Sequence, residues 1–194
     1  FAGNNAVAIS RTNILYNVSP PVISATAPID GSFVLNKRVS YTFSEAMQSA
    51  TIKWTRTGGV ADPAAPHTMS LVAGELTTGA HNNILLANSP VLVDGAVYTI
   101  SYNGFNVVGT PAVEVSNTGI TYDVTRPLIT GVKPLPNTYV NHKKVSYTLS
   151  EECATATIRW IQTAGTADPL SPHVKALVPS ELTAGVHDDF VISD

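Results

Sequence analysis

The stretch VSYTFSEAMQSATIKW, residues 39–54, decides the fold, because apolar and polar residues alternate on both sides of a polar segment. A period of two residues is the pattern of a β-strand with one buried face. The apolar positions that share a face are Val39, Tyr41 and Phe43 in the first run, and Ile52 and Trp54 in the second. Residues 44–48 between them predict a polar turn, so the stretch predicts two half-buried strands.

The same stretch returns as VSYTLSEECATATIRW, residues 145–160. A shift of 106 positions aligns residues 1–88 with residues 107–194 without a gap, and 37 of the 88 pairs are identical. Chance would give only about 5 identities, so the chain contains a duplicated structural unit. The period is near the size of a small domain.

The repeat predicts the domain organisation. Residues 1–18 match residues 107–124 and are expected to be the C-terminal strand of a preceding module. Residues 19–124 form one complete module, and residues 125–194 the N-terminal part of a following module whose last strands are absent from this chain. We therefore expect an interior segment of a longer polypeptide. It contains neither a signal-peptide pattern nor an apolar run of 18 residues.

Turn signals divide the complete module into about seven short strands, the number expected for an immunoglobulin-like sandwich. Beyond the two strands above, these are predicted near residues 22–25, 67–72, 83–87, 97–102 and 112–124. Trp54 is expected in the core, and Asp94–Tyr98 is expected to form a tyrosine corner before the sixth strand. Residues 74–78 predict one short helical turn. The fold class is therefore all-β, with Ig-like antiparallel β-sandwich modules in tandem.

The charge composition argues against two classes of partner. Charged residues make up 13% of the chain and the net charge is -3, which removes the basic surface needed for nucleic acid or an anionic membrane. One cysteine among 194 residues is compatible with an exported protein that does not rely on disulfides.

Several phrases carry a family resemblance: VSYTFSEA, TIKWTRTGGVADPAAPH, LVDGAVYTISYNG and VSNTGITYDVTRP. They resemble the tandem Ig-like domains of very large bacterial secreted or cell-surface proteins, including adhesins and extracellular fibre proteins. The resemblance covers essentially the whole chain. It implies an extracellular or cell-surface location. It also implies a module that serves as a spacer, stiffens the polypeptide and takes part in display at the surface. The implied partners are neighbouring modules of the same polypeptide, or neighbouring copies in a fibre.

Two other functions stay open beside the structural one. A ligand-binding adhesin module would need a pocket, for which the loops at residues 58–66 and 164–172 are the candidates. A fibre subunit would join head-to-tail by donor-strand complementation, with residues 6–18 completing the third unit of a neighbouring copy. The difficulty of this second arrangement is the sixth strand, because residues 97–102 already belong to the complete module.

The repeated Ser-Glu pair is expected at a junction between modules. Related repeats often hold calcium at such junctions, which the resemblance assigns to Asp123, Glu151 and Glu152. Calcium takes six to eight oxygen ligands, and no other cofactor is implied. The alternative is structural: Glu45 and Glu151 would accept hydrogen bonds from backbone N–H groups of the linkers.

Other reactive side chains are given packing roles. His67 and His81 recur as His173 and His187, but no third zinc ligand accompanies them, so a turn-capping or partly buried role is predicted. Cys153 replaces Met47 and is expected to pack as a soft apolar group. No nucleophile elbow, phosphate loop or paired-carboxylate motif is present, so an enzyme is not predicted.

Overall fold

The computed structural model describes residues 2–3, 5–14 and 16–191. The chain divides into two compact units, residues 1–124 and residues 125–194. In the described residues the regular structure is β throughout, apart from single 3₁₀ turns at Ala73–Glu75 and Pro179–Glu181. None of the described residues belongs to a helix long and apolar enough to cross a membrane.

The first unit contains two sheets. Its strands are β1 (Ile23–Ala27), β2 (Phe33–Val34), β3 (Val39–Phe43), β4 (Met47–Gly59), β5 (His67–Ser70), β6 (Gly79–Ile84), β7 (Ala96–Asn106) and β8 (Val115–Tyr122). One sheet has the order β1-β3-β6 and the other β2-β8-β7-β4-β5. Neighbouring strands are antiparallel except β2 and β8, which are parallel.

The apolar faces of both sheets meet in one core, which gives the unit a sandwich-like character. All five alternating apolar residues of the opening stretch are buried, and Trp54, Tyr98, Ile100 and Ile120 are fully inaccessible. Period-two alternation thus places the core residues as predicted, because successive side chains of a strand point to opposite faces.

The turn inside the opening stretch is shorter than predicted. β4 begins at Met47 rather than near Thr51, because Met47 and Ala50 are buried and β7 pairs with this part of the strand. The polar connection therefore shrinks to residues 44–46. Similarly, the strand predicted at residues 83–87 lies at Gly79–Ile84, where its register with β3 places it.

The second unit repeats the local structures of the first. Its strands are β9 (Ile129–Lys133), β10 (Lys144–Leu149), β11 (Thr157–Trp160), β12 (His173–Ala176) and β13 (Gly185–Val191), in sheets ordered β13-β10-β9 and β11-β12. β9, β12 and β13 begin 106 residues after β1, β5 and β6, and the two 3₁₀ turns are related by the same shift. The repeat in sequence is therefore also a repeat of secondary structure.

The described residues before Ser19 lie in no helix or strand. Several of their apolar side chains are exposed, including Val7, Ile9, Ile14 and Tyr16. The role of residues 1–18 as the last strand of a preceding module stays a prediction. Residues 1, 4, 15 and 192–194 lie outside the described residues.

Candidate functional site

The Ser-Glu pair after β3 contacts the segment that leads into β1. The Val22 N–H donates to Ser44 Oγ at 2.9 Å, and the Ser44 N–H donates to the Val22 carbonyl at 3.1 Å. In the second unit Leu128 and Ser150 form the same reciprocal pair at 2.8 and 3.0 Å. The serine of each copy therefore fixes the residue that precedes the first strand.

The Glu45 carboxylate connects three parts of the first unit. Its Oε2 accepts a hydrogen bond from Asn17 Nδ2 at 3.0 Å, and its Oε1 accepts one from Asn106 Nδ2 at 3.4 Å. Asn17 Oδ1 in turn accepts the Ser19 N–H at 3.0 Å. The prediction that Glu45 accepts backbone N–H groups is wrong for the described residues, in which side-chain amides donate to the carboxylate and Ser44 and Asn17 accept the linker N–H groups.

Asn106 completes this arrangement, which we call the entrance joint (Asn17, Ser44, Glu45 and Asn106). Asn106 is fully buried, and its Oδ1 accepts the N–H groups of Val108 and Thr110 at 3.2 and 2.8 Å. Its Nδ2 also reaches the Ser19 carbonyl at 3.4 Å. A buried amide whose donors and acceptor are all hydrogen-bonded fixes the arrangement of the groups around it. The polar atoms of Asn106 are therefore satisfied by groups of the protein itself.

The second Ser-Glu pair differs in its chemistry. Asp123 stands where the first copy has Asn17, and Glu151 Oε1 is buried without a hydrogen-bond partner among the described residues. Asp123 belongs to the first unit, whereas Glu151 and Glu152 belong to the second. No three His, Cys, Asp or Glu side chains gather into a metal-binding group within the described ranges. The calcium site at Asp123, Glu151 and Glu152 stays a prediction.

His67 belongs to a buried polar cluster that the alternation of apolar and polar residues does not predict. His67 Nε2 lies 2.7 Å from Asp62 Oδ2, and the Tyr98 hydroxyl donates to the same oxygen at 2.7 Å. The Val93 N–H donates to the Tyr98 oxygen at 3.0 Å, which is the hydrogen bond that a tyrosine corner requires. The side chains of Asp62 and His67 are only 2% and 13% exposed.

This cluster shifts two pKa values. The hydrogen bond from His67 lowers the pKa of Asp62 below its usual value of 3.8; burial opposes this shift, and the hydrogen bonds from Tyr98 and the Ala64 N–H add to it. Burial raises the pKa of Tyr98 to about 12. Asp62 is therefore held ionised and Tyr98 protonated at neutral pH, the forms in which they bond to each other.

A carboxylate, an imidazole and a hydroxyl together suggest a hydrolytic site, but their order does not suit one. Activation of a nucleophile requires the imidazole between hydroxyl and carboxylate. Here both His67 and the Tyr98 hydroxyl contact Asp62, and Tyr98 is fully buried. The cluster therefore ties the loop before β5 to the start of β7.

The second unit contains part of the same cluster. His173 Nε2 lies 2.7 Å from Asp168 Oδ2, but the Asp168 side chain is 39% exposed. The hydrogen bond from His173 is the main cause that lowers the pKa of Asp168. The signal that could have revealed both aspartates was the identical Ala-Asp-Pro triplet in the two copies.

The other two histidines pack on tyrosines. His81 stacks on Tyr41 with 4.8 Å between ring centroids, and His187 stacks on Tyr147 at the same distance. His81 Nε2 donates to the Thr77 carbonyl at 2.9 Å, and His187 Nε2 to the Thr183 carbonyl at 2.8 Å. The predicted turn-capping or partly buried role is confirmed for this pair, since both side chains are half-buried and both bond to a turn carbonyl.

Cys153 occupies the same backbone position as Met47. The Cys153 N–H donates to the Leu182 carbonyl at 2.8 Å, as the Met47 N–H donates to the Leu76 carbonyl at 2.9 Å. Both residues therefore begin the segment after the Ser-Glu turn in the same way. The side chain of Cys153 is half-buried, and its packing role stays a prediction.

Comparison with known proteins gives no match to this chain among family models, curated proteins or solved structures. The geometry of the entrance joint and of the buried cluster is therefore the basis for a functional inference.

Proposed function

We propose that this chain is a structural repeat segment of a long bacterial protein that is extracellular or attached to the cell surface. Its modules space and stiffen a surface stalk or build an extracellular filament. The observation that carries the proposal is the entrance joint, in which Asn17, Glu45 and Asn106 hold the incoming segment against the module by side-chain hydrogen bonds. Such a joint limits the directions in which the chain enters a module.

The strand order supports an Ig-like classification of the module. The sheets β1-β3-β6 and β2-β8-β7-β4-β5 divide the strands as a Greek-key sandwich does, with consecutive strands β3 and β4 in different sheets. The Val93–Tyr98 hydrogen bond at the start of β7 is a further feature of that class. Resemblance of fold alone does not supply a function, so the proposal depends on the joint.

The loops that an adhesin would use favour the structural function over ligand binding. In the first copy the loop at residues 58–66 directs its carboxylate inward, since Asp62 contacts His67, Tyr98 and the Ala64 N–H. A binding loop presents polar groups to its ligand. This loop uses its carboxylate to stabilise its own conformation.

A filament joined by strand exchange between copies is the second candidate. It is favoured by exposed apolar side chains in the segment before Ser19, with Ile14 76% and Tyr16 86% exposed.

The proposal includes a calcium ion at the second junction, with Asp123, Glu151 and Glu152 as its ligands. Carboxylate oxygens are the ligands that calcium prefers. If the site exists, calcium raises the melting temperature of the chain, EDTA reverses the rise, and Asp123→Asn abolishes it. The same melting temperature in calcium and in EDTA would contradict the site.

Imaging of the native full-length protein by electron cryomicroscopy tests the function. We expect elongated particles or fibres with a regular spacing between modules of about a few nanometres. The rise per residue along a strand gives a module of this size such a length. Compact particles without periodicity would contradict the proposal.

A further inference from the structure

Strand β2, near the beginning of the first unit, runs parallel to β8, the last strand of that unit. The Thr121 N–H donates to the Ser32 carbonyl at 2.9 Å, and the Asp123 N–H donates to the Val34 carbonyl at the same distance. Every other pair of neighbouring strands in the described part of the chain is antiparallel. Because parallel strands run in one direction, successive residues of β2 lie beside successive residues of β8.

Side chains extend this parallel contact toward the start of β8. The Asn117 Nδ2 donates to the Pro28 carbonyl at 2.7 Å. Asp30 Oδ1 accepts hydrogen bonds from both the N–H and the hydroxyl of Thr118, and the Gly31 N–H donates to the Thr118 carbonyl at 2.9 Å. The loop between β1 and β2 is therefore hydrogen-bonded to the same strand as β2 itself.

These contacts form one continuous line, which we call the parallel seam (residues 28–34 and residues 117–123). The residue numbers increase in the same direction along both of its sides. The chain enters the first unit before residue 28 and leaves it after residue 123, so the entering and leaving segments lie at opposite ends of the seam. Tension between these segments therefore acts along the seam and loads its hydrogen bonds together, rather than one after another.

The strand on the leaving side of the seam is fixed to the rest of the unit. β8 pairs with β7 on its other side, and Ile120 is fully inaccessible in the core. At the end of the strand the Gly95 N–H donates to the Tyr122 carbonyl at 2.8 Å, and the Val124 N–H donates to Asp94 Oδ1 at 2.8 Å. Movement of β8 along β2 therefore also breaks the contacts that β8 makes with the sheet.

We infer that the parallel seam bears tension along the polypeptide, so that the first unit resists unfolding when it is pulled through its entering and leaving segments. This inference rests on the proposed structural function, because a stalk or filament that is held at one end and loaded at the other is under tension. It adds a mechanical role to that function, since a spacer keeps a distance without having to resist extension.

The direction of pulling tests the inference on the whole 194-residue protein in single-molecule experiments at constant force. With handles at Ser19→Cys and Val124→Cys, in a Cys153→Ser background, tension acts along the seam. With handles at Ser19→Cys and Glu114→Cys, tension acts at one end of it, because residue 114 precedes the start of β8. Unfolding of the first unit lengthens the chain between the handles by about 30 nm in either case.

We expect unfolding along the seam to be at least about tenfold slower than unfolding from its end, at the same force. The physical reason is that each hydrogen bond that must break together with the first slows the step by about fivefold. The protein, its hydrogen bonds and its stability without load are the same in both arrangements apart from the position of one handle. A difference in rate therefore reports the direction of the load.

Asp30→Ala removes the acceptor of the Thr118 N–H from the seam and is expected to speed unfolding along the seam by about tenfold. Ser40→Ala is the matched control, because Ser40 Oγ accepts the Asn83 N–H at 2.9 Å between β3 and β6, outside the seam. It is expected to leave the rate under tension nearly unchanged. Urea unfolding of both variants without load gives the reference for each.

Equal unfolding rates in the two pulling directions would overturn the inference. A rate along the seam that Asp30→Ala leaves unchanged, or that Ser40→Ala raises as much as Asp30→Ala does, would also overturn it. Either result, with regularly spaced modules still seen in the native protein, would leave the proposed function standing.

Discussion

Asp62→Ala is expected to lower the free energy of unfolding of the first unit by about 3 kcal/mol. The substitution removes the common acceptor of His67 and Tyr98, whose hydrogen bonds to Oδ2 are both 2.7 Å long. It also leaves the fully buried Tyr98 hydroxyl without its acceptor. Urea unfolding followed by Trp54 fluorescence, in a Trp160→Phe background, measures the loss.

Asp168→Ala is the matched control, because the repeat places Asp168 at the same position of the second unit. Its side chain is 39% exposed, so water replaces the lost hydrogen bond to His173. We expect a much smaller loss, measured by Trp160 fluorescence in a Trp54→Phe background. Equal losses at the two aspartates would contradict a special role for the buried cluster.

The pH dependence follows from the lowered pKa of Asp62. The unfolded carboxyl has its usual pKa of 3.8 and the folded one a lower value, so the unfolded state binds the proton first. The contribution of Asp62 is therefore complete well above pH 3.8 and is lost as the pH falls through the lower, folded pKa. With Asp62→Asn, the stability of the first unit should fall less steeply below about pH 4.

Trp54→Ala is expected to lower the free energy of unfolding of the first unit by about 4 kcal/mol. Trp54 is fully buried and packs edge-on against Tyr98, with 5.8 Å between ring centroids. The loss of its volume leaves a cavity between the two sheets. Urea unfolding followed by far-UV circular dichroism measures the effect.

Two control variants separate the effect of the lost side-chain volume from the effect of the position in the fold. Trp54→Phe keeps most of the ring, and Trp54 Nε1 has no hydrogen-bond partner among the described residues, so this variant should lose much less stability. Trp160→Ala at the matching position removes a side chain that is only half-buried and should also cost less. A loss at Trp160 as large as that at Trp54 would be inconsistent with the different burial of the two residues.

The sequence predicts the parts of the fold that depend on local alternation. Val39, Tyr41, Phe43, Ile52 and Trp54 are buried as predicted, because the two-residue period of a strand fixes which side chains share a face. The start of β4 was not predictable in this way. Met47 joins the strand through pairing with Asn106, a partner that is distant in sequence.

Distance along the chain also limited the prediction of the site. The Ser44–Glu45 pair contacts the incoming segment, but the acceptor of the Val22 N–H is Ser44, and the partners of Glu45 are the side-chain amides of Asn17 and Asn106. The predicted tyrosine corner accounts for the bond between Tyr98 and the Val93 N–H, but the second partner of Tyr98, Asp62, is 36 residues away. Sequence period identifies positions that face the core, but it does not identify which polar groups meet there.

The entrance joint is the feature on which the structural function depends, so the mobility of the segment it holds is the most direct test. ¹⁵N relaxation of the Asn17, Val18 and Ser19 amides should give order parameters near those of a rigid backbone, about 0.85. Glu45→Ala should lower them toward about 0.6, while Glu114→Ala, at an exposed position, should leave them unchanged. Low order parameters of these amides in the wild type, or order parameters that do not change in Glu45→Ala, would contradict a joint at the Ser-Glu pair.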